Sequence, residues 1–147
     1  MKIKEKISPT MEDYLEVIYL LSQKGEVSLT DIAKRMDVAK PTAHSAMHKL
    51  QDNNYINSDY YTKIQITEKG REYGKNIYSR HQLLSKFLNE ILGLPKKEAE
   101  KEACLIEHAI SQETYDRLKA FIKIVLECPE QEIYKSRDRI EDVINHK

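Results

Sequence analysis

Apolar side chains recur at spacings of three and four through almost the whole chain, and the pattern breaks once, between Tyr55 and Thr67, where apolar and polar residues alternate. Only four Gly and four Pro punctuate the 147 residues, so few helix breakers interrupt the longer pattern. The chain is therefore expected to be mainly α, with a single short β-hairpin turning at Asn57-Ser58-Asp59.

Before the hairpin, three helices are predicted. The first starts at a Thr10 N-cap, runs from Met11 to Gln23 with Tyr14, Val17, Ile18 and Leu21 on its buried face, and stops at Gly25. Asp13, three residues after Thr10, is placed to complete a capping box. A short helix capped by Ser28 or Thr30 carries Ile32, Ala33 and Met36. After Asp37-Val38-Ala39 a further helix begins with Pro41 in its first turn and continues through Ala43, Met47 and Leu50. A short helix, a tight turn, a second helix and then a β-ribbon is the order of a winged helix-turn-helix, expected over residues 1–72.

Charge bears on what such a unit touches. Lys and Arg total 24 and Asp and Glu total 24, which excludes a polycationic coat or a polyacidic tail but says nothing about local patches. Between Lys34 and Lys49 the balance is +3. The helix after the turn presents Lys40, Pro41, Thr42, His44, Ser45, His48 and Lys49, whose cations and small donors suit phosphates and base edges in a major groove. Tyr60, Tyr61 and Lys63 of the hairpin are candidates for phosphate contact. The bland reading of the same residues is a solvated helix face; the appended hairpin favours double-stranded DNA.

Residues 73–147 are expected to form an all-helical domain. Ile77, His81, Leu84, Leu88 and Ile91 make one stripe, closed by Gly93-Leu94-Pro95. Ala99, Ala103, Ile106 and Ile110 make another, and Tyr115, Leu118, Ile122 and Val125 a third. A last helix from about Pro129 to Ile144 carries Ile133, Ile140 and Ile144. So many apolar faces in so short a segment suggest pairing with a second copy, hence a homodimer. The longest apolar run, Val17 to Leu21, is too short to cross a bilayer, and no signal-like segment follows Met1, so a cytoplasmic protein is expected. Cys104 and Cys128 do not make a disulfide framework and are read as reduced thiols.

Cys104, Glu107 and His108 stand at i, i+3 and i+4, so a thiol, a carboxylate and an imidazole project from one side of a helix. These are three good ligands for a divalent transition metal. Asp13 and Glu16, at i and i+3, can point together, and His81 interrupts an apolar stripe. Each also has a structural reading: a cap for Asp13, a small buried hydrophobe for Cys104, a hydrogen-bonded core histidine for His81, a solvated pair for Glu107 and His108.

Thr10-Met11-Glu12-Asp13-Tyr14-Leu15-Glu16, Asp31-Ile32-Ala33, Lys40-Pro41-Thr42, Thr67-Glu68-Lys69-Gly70, Arg80-His81-Gln82-Leu83-Leu84 and Glu102 to His108 together resemble the diphtheria toxin repressor family of metal-dependent repressors. The resemblance covers about Thr10 to Val125. It implies a dimeric repressor that binds operator DNA when loaded with Fe(II) or Mn(II), Co(II) or Zn(II) also fitting in vitro, and that controls metal-uptake genes. On that likeness Asp13, Cys104, Glu107 and His108 surround one ion, and Glu16 and His81, with Glu107 bridging, hold a second. The Met11 to Glu16 opening resembles the manganese branch and Cys104 the iron branch, and Ser85 and Glu100 stand where the iron branch has ancillary ligands.

No nucleophile motif or phosphate loop accompanies these residues, so neither an enzyme nor a small organic substrate is expected. The competing function is a winged-helix repressor that senses an organic ligand or an oxidant through Cys104, with Cys128 as its partner.

Overall fold

The computed structural model describes residues 6–60, 62–127 and 130–145. In chain order these form α1 (Pro9–Ser22), α2 (Leu29–Met36), α3 (Lys40–Asp52), β1 (Ile56–Asp59), β2 (Lys63–Ile66), α4 (Glu68–Lys86), a π-helical turn (Phe87–Ile91), α5 (Lys96–Ile106), α6 (Gln112–Leu126) and α7 (Glu130–Asn145). The chain is mainly α with one two-stranded antiparallel hairpin, and it divides into two compact units, one through Tyr78 and one from Ser79 onward, within the length of α4. No helix among the described residues is long and apolar enough to cross a membrane.

The N-cap of α1 is Ser8, not Thr10: the Ser8 hydroxyl accepts from the Met11 amide at 3.4 Å, and Pro9 occupies the first turn. Proline has no amide to satisfy there and its preset φ already suits a helix, so the start moves two residues earlier. Thr10 thus lies inside the helix, and Asp13 does not complete a box with it. The buried face also differs from expectation, carrying Glu12, Tyr14, Leu15 and Ile18, while Val17 and Leu21 are half-buried on its flanks. Ser28 caps α2 in a reciprocal box with Asp31, and Asp37 closes it in the left-handed region at φ 54°.

The hairpin turns later than Asn57-Ser58-Asp59, which lie in β1. Ile56 pairs with Ile66, Ser58 with Ile64 and Asp59 with Lys63. A turn centred on Ser58 would set Ile64 opposite α3 instead of placing Ile56 and Ile64 together on the buried side, so core registry overrides the turn-forming side chains. Tyr60 instead takes the left-handed conformation at φ 53°. The Ile64 amide donates to the Val27 carbonyl at 2.9 Å, attaching the hairpin to the strand-like residue before α2.

One core fills the first unit, drawn from Leu15 and Ile18 of α1, Ile32 of α2, Ala43, Met47 and Leu50 of α3, Tyr55, Ile56 and Ile64 of the hairpin, and Tyr73 and Ile77 of α4. Glu12 is buried in it, and the Tyr73 hydroxyl donates to Glu12 Oε1 at 2.7 Å. Burial first, and then the Glu12 carboxyl, hold the Tyr73 phenol far above the ordinary tyrosine range.

The second unit has a smaller core: Leu84, Leu88, Ala99 and Ala103, with Phe87, Ile106, Ile110 and Leu118 against it. The stripe predicted as one continuous helix to Ile91 is interrupted by the π-helical turn, which is capped by the Leu92 amide donating to the Phe87 carbonyl at 3.0 Å. Ser111 caps α6 by accepting from Thr114 N. Of the points predicted on the last helix, Ile140 is half-buried and Ile144 is exposed. The Ile133 side chain, Tyr61 and Cys128 lie outside the described residues.

Two substitutions test this packing. At Gly70 an added Cβ would stand 2.0 Å from the Tyr55 carbonyl oxygen, so Gly70→Ala is expected to lower the melting temperature, although alanine is worth about 1 kcal/mol more than glycine in a free helix. Tyr73→Phe removes the bond to Glu12 and is expected to cost about 1–3 kcal/mol in urea unfolding followed by circular dichroism.

Candidate metal centre and nucleic-acid interface

In the second unit the spacing of Cys104, Glu107 and His108 meets the end of a helix. α5 closes at Ile106, Glu107 is its C-cap in helical conformation with its amide on the Ala103 carbonyl at 2.9 Å, and His108 follows in the turn. The three side chains still converge: each offers a ligand atom, all within 4.8 Å of one another. Helical φ and ψ at Glu107 keep the i, i+3 relation to Cys104 even though the hydrogen-bonded helix has ended.

Glu107 is fully buried. Its Oε2 lies 2.7 Å from His81 Nδ1 on α4, and its Oε1 lies 3.5 Å from His108 Nε2. Oε1 has no hydrogen-bond partner. A carboxyl group shielded from water needs compensating charge or donors, and here one oxygen remains short of a bond while two imidazoles and a half-buried thiol stand around it. Carboxylate, imidazole and thiolate together suit a divalent transition metal, so the residues present fit such an ion. On α1 of the first unit, Asp13 and Glu16 are half-buried, one turn apart. Ser85 is half-buried, and Glu100 is exposed, 4.0 Å from Lys96.

Arg80 was not singled out from the sequence. Almost buried, it donates through Nη1 to the carbonyls of Ile110 at 2.8 Å and Glu107 at 3.4 Å, and through Nη2 to Gln112 Oε1 at 3.0 Å. Its guanidinium also lies 5.7 Å from the Tyr115 ring centroid. It therefore pins the turn that carries Glu107 and His108. The available signal was its place, one turn after Ile77 and one before Leu84, on a stripe meant for the core.

In the first unit α3 turns Ala43, Ala46, Met47 and Leu50 inward and leaves Lys40, Pro41, Thr42, His44, Ser45, His48 and Lys49 exposed. The Ser45 hydroxyl donates back to the Pro41 carbonyl at 3.2 Å, which leaves its oxygen to accept. Lys63, at the start of β2, pairs with Glu26 at 2.7 Å, both side chains exposed. Glu26 first of all raises the Lys63 pKa.

A winged helix-turn-helix with an exposed basic helix, carried in one chain with a buried carboxylate–imidazole–thiol cluster, defines the class of metal-dependent transcriptional regulators. The Iron dependent repressor N-terminal DNA binding domain matches residues 6–63, and the Iron dependent repressor metal binding and dimerisation domain matches residues 67–134. The chain belongs to this iron-dependent, or diphtheria toxin, repressor family. An uncharacterized HTH-type transcriptional regulator of Methanocaldococcus jannaschii is 42% identical over 80% of this chain and 95% of its own length. The HTH-type transcriptional regulator MntR of Shouchella clausii is 33% identical over 92% of this chain and 98% of its own. Among solved structures, the manganese regulator SloR has a TM-score of 0.70 at 30% identity, and the metal-dependent transcriptional regulator MtsR one of 0.72 at 28%. Each match covers 80% of this chain and 55% of the other, so the chain spans about half the length of those two proteins.

Arg80→Lys keeps the charge but loses the two-pronged geometry. It is expected to cost about 1.5–3 kcal/mol in urea unfolding, the worth of a hydrogen bond from a charged donor.

Proposed function

We propose that the chain represses metal-uptake genes by binding double-stranded operator DNA as a homodimer when loaded with Fe(II) or Mn(II). The observation that carries this reading is Glu107, buried between His81 and His108 with Cys104 at hand, in a chain whose first unit exposes the polar face of α3. Asp13, Cys104, Glu107 and His108 are proposed as ligands of one ion, and Glu16, His81 and Glu107 as ligands of a second. The convergence within the second unit and the likeness in motif to the family support this assignment. A divalent cation would supply positive charge to the buried Glu107 carboxyl group.

The chain's own residues do the remaining work. Arg80 holds the turn bearing Glu107 and His108, so these ligands keep their places before an ion arrives. Lys40 and Lys49 meet phosphates, and Thr42, His44 and Ser45 reach base edges from the first turns of α3. Pro41 sets the start of that helix, and Lys63 contacts backbone from the wing. A regulator of this kind works where the chromosome is, so a cytoplasmic location follows from the function proposed.

Carboxylates suit manganese and a thiolate suits softer iron, cobalt or zinc, so Cys104 is the residue that sets preference. In titrations of the apo chain with Fe(II), Mn(II) and Zn(II), followed by fluorescence anisotropy of a labelled promoter duplex, DNA affinity is expected to rise with at least one metal. No response to any of them overturns the proposal. Cys104→Glu is expected to move the preference toward Mn(II), and an unchanged order means that Cys104 is not a ligand. Lys40→Ala and Lys49→Ala are each expected to lower the slope of log affinity against log salt by about 1.

A further inference from the structure

Two imidazoles outside the buried cluster stand together on the exposed side of α3. His44 and His48 are one helical turn apart, with ring centroids 4.7 Å apart and ring planes at 77°. They lie opposite Ala43, Ala46, Met47 and Leu50, and both are exposed. The core gains nothing from either ring. Two histidines four residues apart on one helix can share a single ion, as in the zinc-binding pair of HExxH helices. The rings meet edge to face, and rotation about their side-chain bonds brings one nitrogen of each toward a shared ion.

The chemistry of the pair sorts metals differently from the second unit's cluster. Neutral imidazole suits nickel, copper and zinc, and affinity at a nitrogen site rises from manganese toward copper. The α3 pair includes no carboxylate to favour manganese, whereas Glu107 supplies one in the cluster.

We propose that His44 and His48 form a two-imidazole site for zinc(II), copper(II) or nickel(II) on the DNA-facing side of α3, and that metal held there and DNA held by the same helix exclude one another. Chelation turns both rings onto one ion and away from base edges, and the ion's remaining ligands add bulk to a helix that must enter a groove about 12 Å wide. Thermodynamic linkage makes the antagonism mutual: DNA weakens metal binding at the pair as much as metal weakens DNA binding. A protein holding DNA through its activating metal is thus released by an excess of a nitrogen-loving one. The chelate stands on α3 alone, while the exclusion rests on the reading of α3 as the DNA-contacting helix.

The test uses the full chain with 15N-labelled histidine, titrated with zinc(II) and followed by imidazole nitrogen–proton correlation spectra, with assignments from His44→Gln and His48→Gln. The resonances of His44 and His48 are expected to shift together, and in either variant the shift at the remaining ring is expected to be lost. A ring that responds unchanged without its neighbour, or two rings that never respond, overturns the chelate. Saturating duplex DNA is expected to suppress the zinc shifts of this pair while His81 and His108 still respond. Shifts that persist at the pair in bound complex overturn the exclusion. A chain that chelates zinc here but binds no duplex retains the site and overturns the DNA reading instead.

Discussion

Glu107 has no contact with solvent, and a carboxyl group in that position is stable only where neighbouring charges or dipoles replace the water it has lost. Leaving a buried polar group without its partner typically costs about 1–3 kcal/mol, whereas exposed ion pairs such as Glu113 with Arg117 on α6 are worth about 0–1 kcal/mol. The arrangement around this one side chain therefore outweighs the surface ion pairs of the second unit. His81 and His108 meet its oxygens, and Arg80 grips the backbone that presents it. The apolar cluster beside it is small, centred on Leu84, Leu88, Ala99 and Ala103, and the Arg80 hydrogen bonds tie the 107–112 turn to α4.

The first unit solves the opposite problem. Its core draws on every helix and both strands, which frees α3 to leave a whole face uncommitted to packing. Neutrality over the entire chain is compatible with that face meeting a phosphate backbone, because binding responds to the potential of the patch that approaches and not to the sum over residues.

Features governed by local periodicity were legible in the sequence: the helices, the hairpin and the order that joins them. Competition between signals was harder to read. Thr10 is a good cap, but Pro9 determines the start of α1; Asn57-Ser58-Asp59 is good turn chemistry, but the burial of Ile56 and Ile64 sets the register. Cys104, Glu107 and His108 were recognisable because their spacing places ligand atoms together, although the helix ends beneath them, and His81 because it interrupts an apolar stripe. The partners of Arg80 on the 107–112 turn and of Tyr73 on Glu12 were not recognisable, because each bond joins residues far apart in sequence. The π-helical turn after α4 likewise answers to packing around Leu88 and Ile91.

The wing is fastened at its root and open at its tip. Thr67 Oγ1 donates toward the carbonyls of Asn54 and Tyr55 and accepts from the Gly70 amide, and α4 passes so close to Tyr55 that only glycine fits at position 70. Tyr60, at the other end, is 96% exposed. Substitution at the root disturbs the fold, while substitution at the tip leaves the core untouched. The outward surface of the hairpin can therefore change one side chain at a time while the scaffold that positions α3 stays constant.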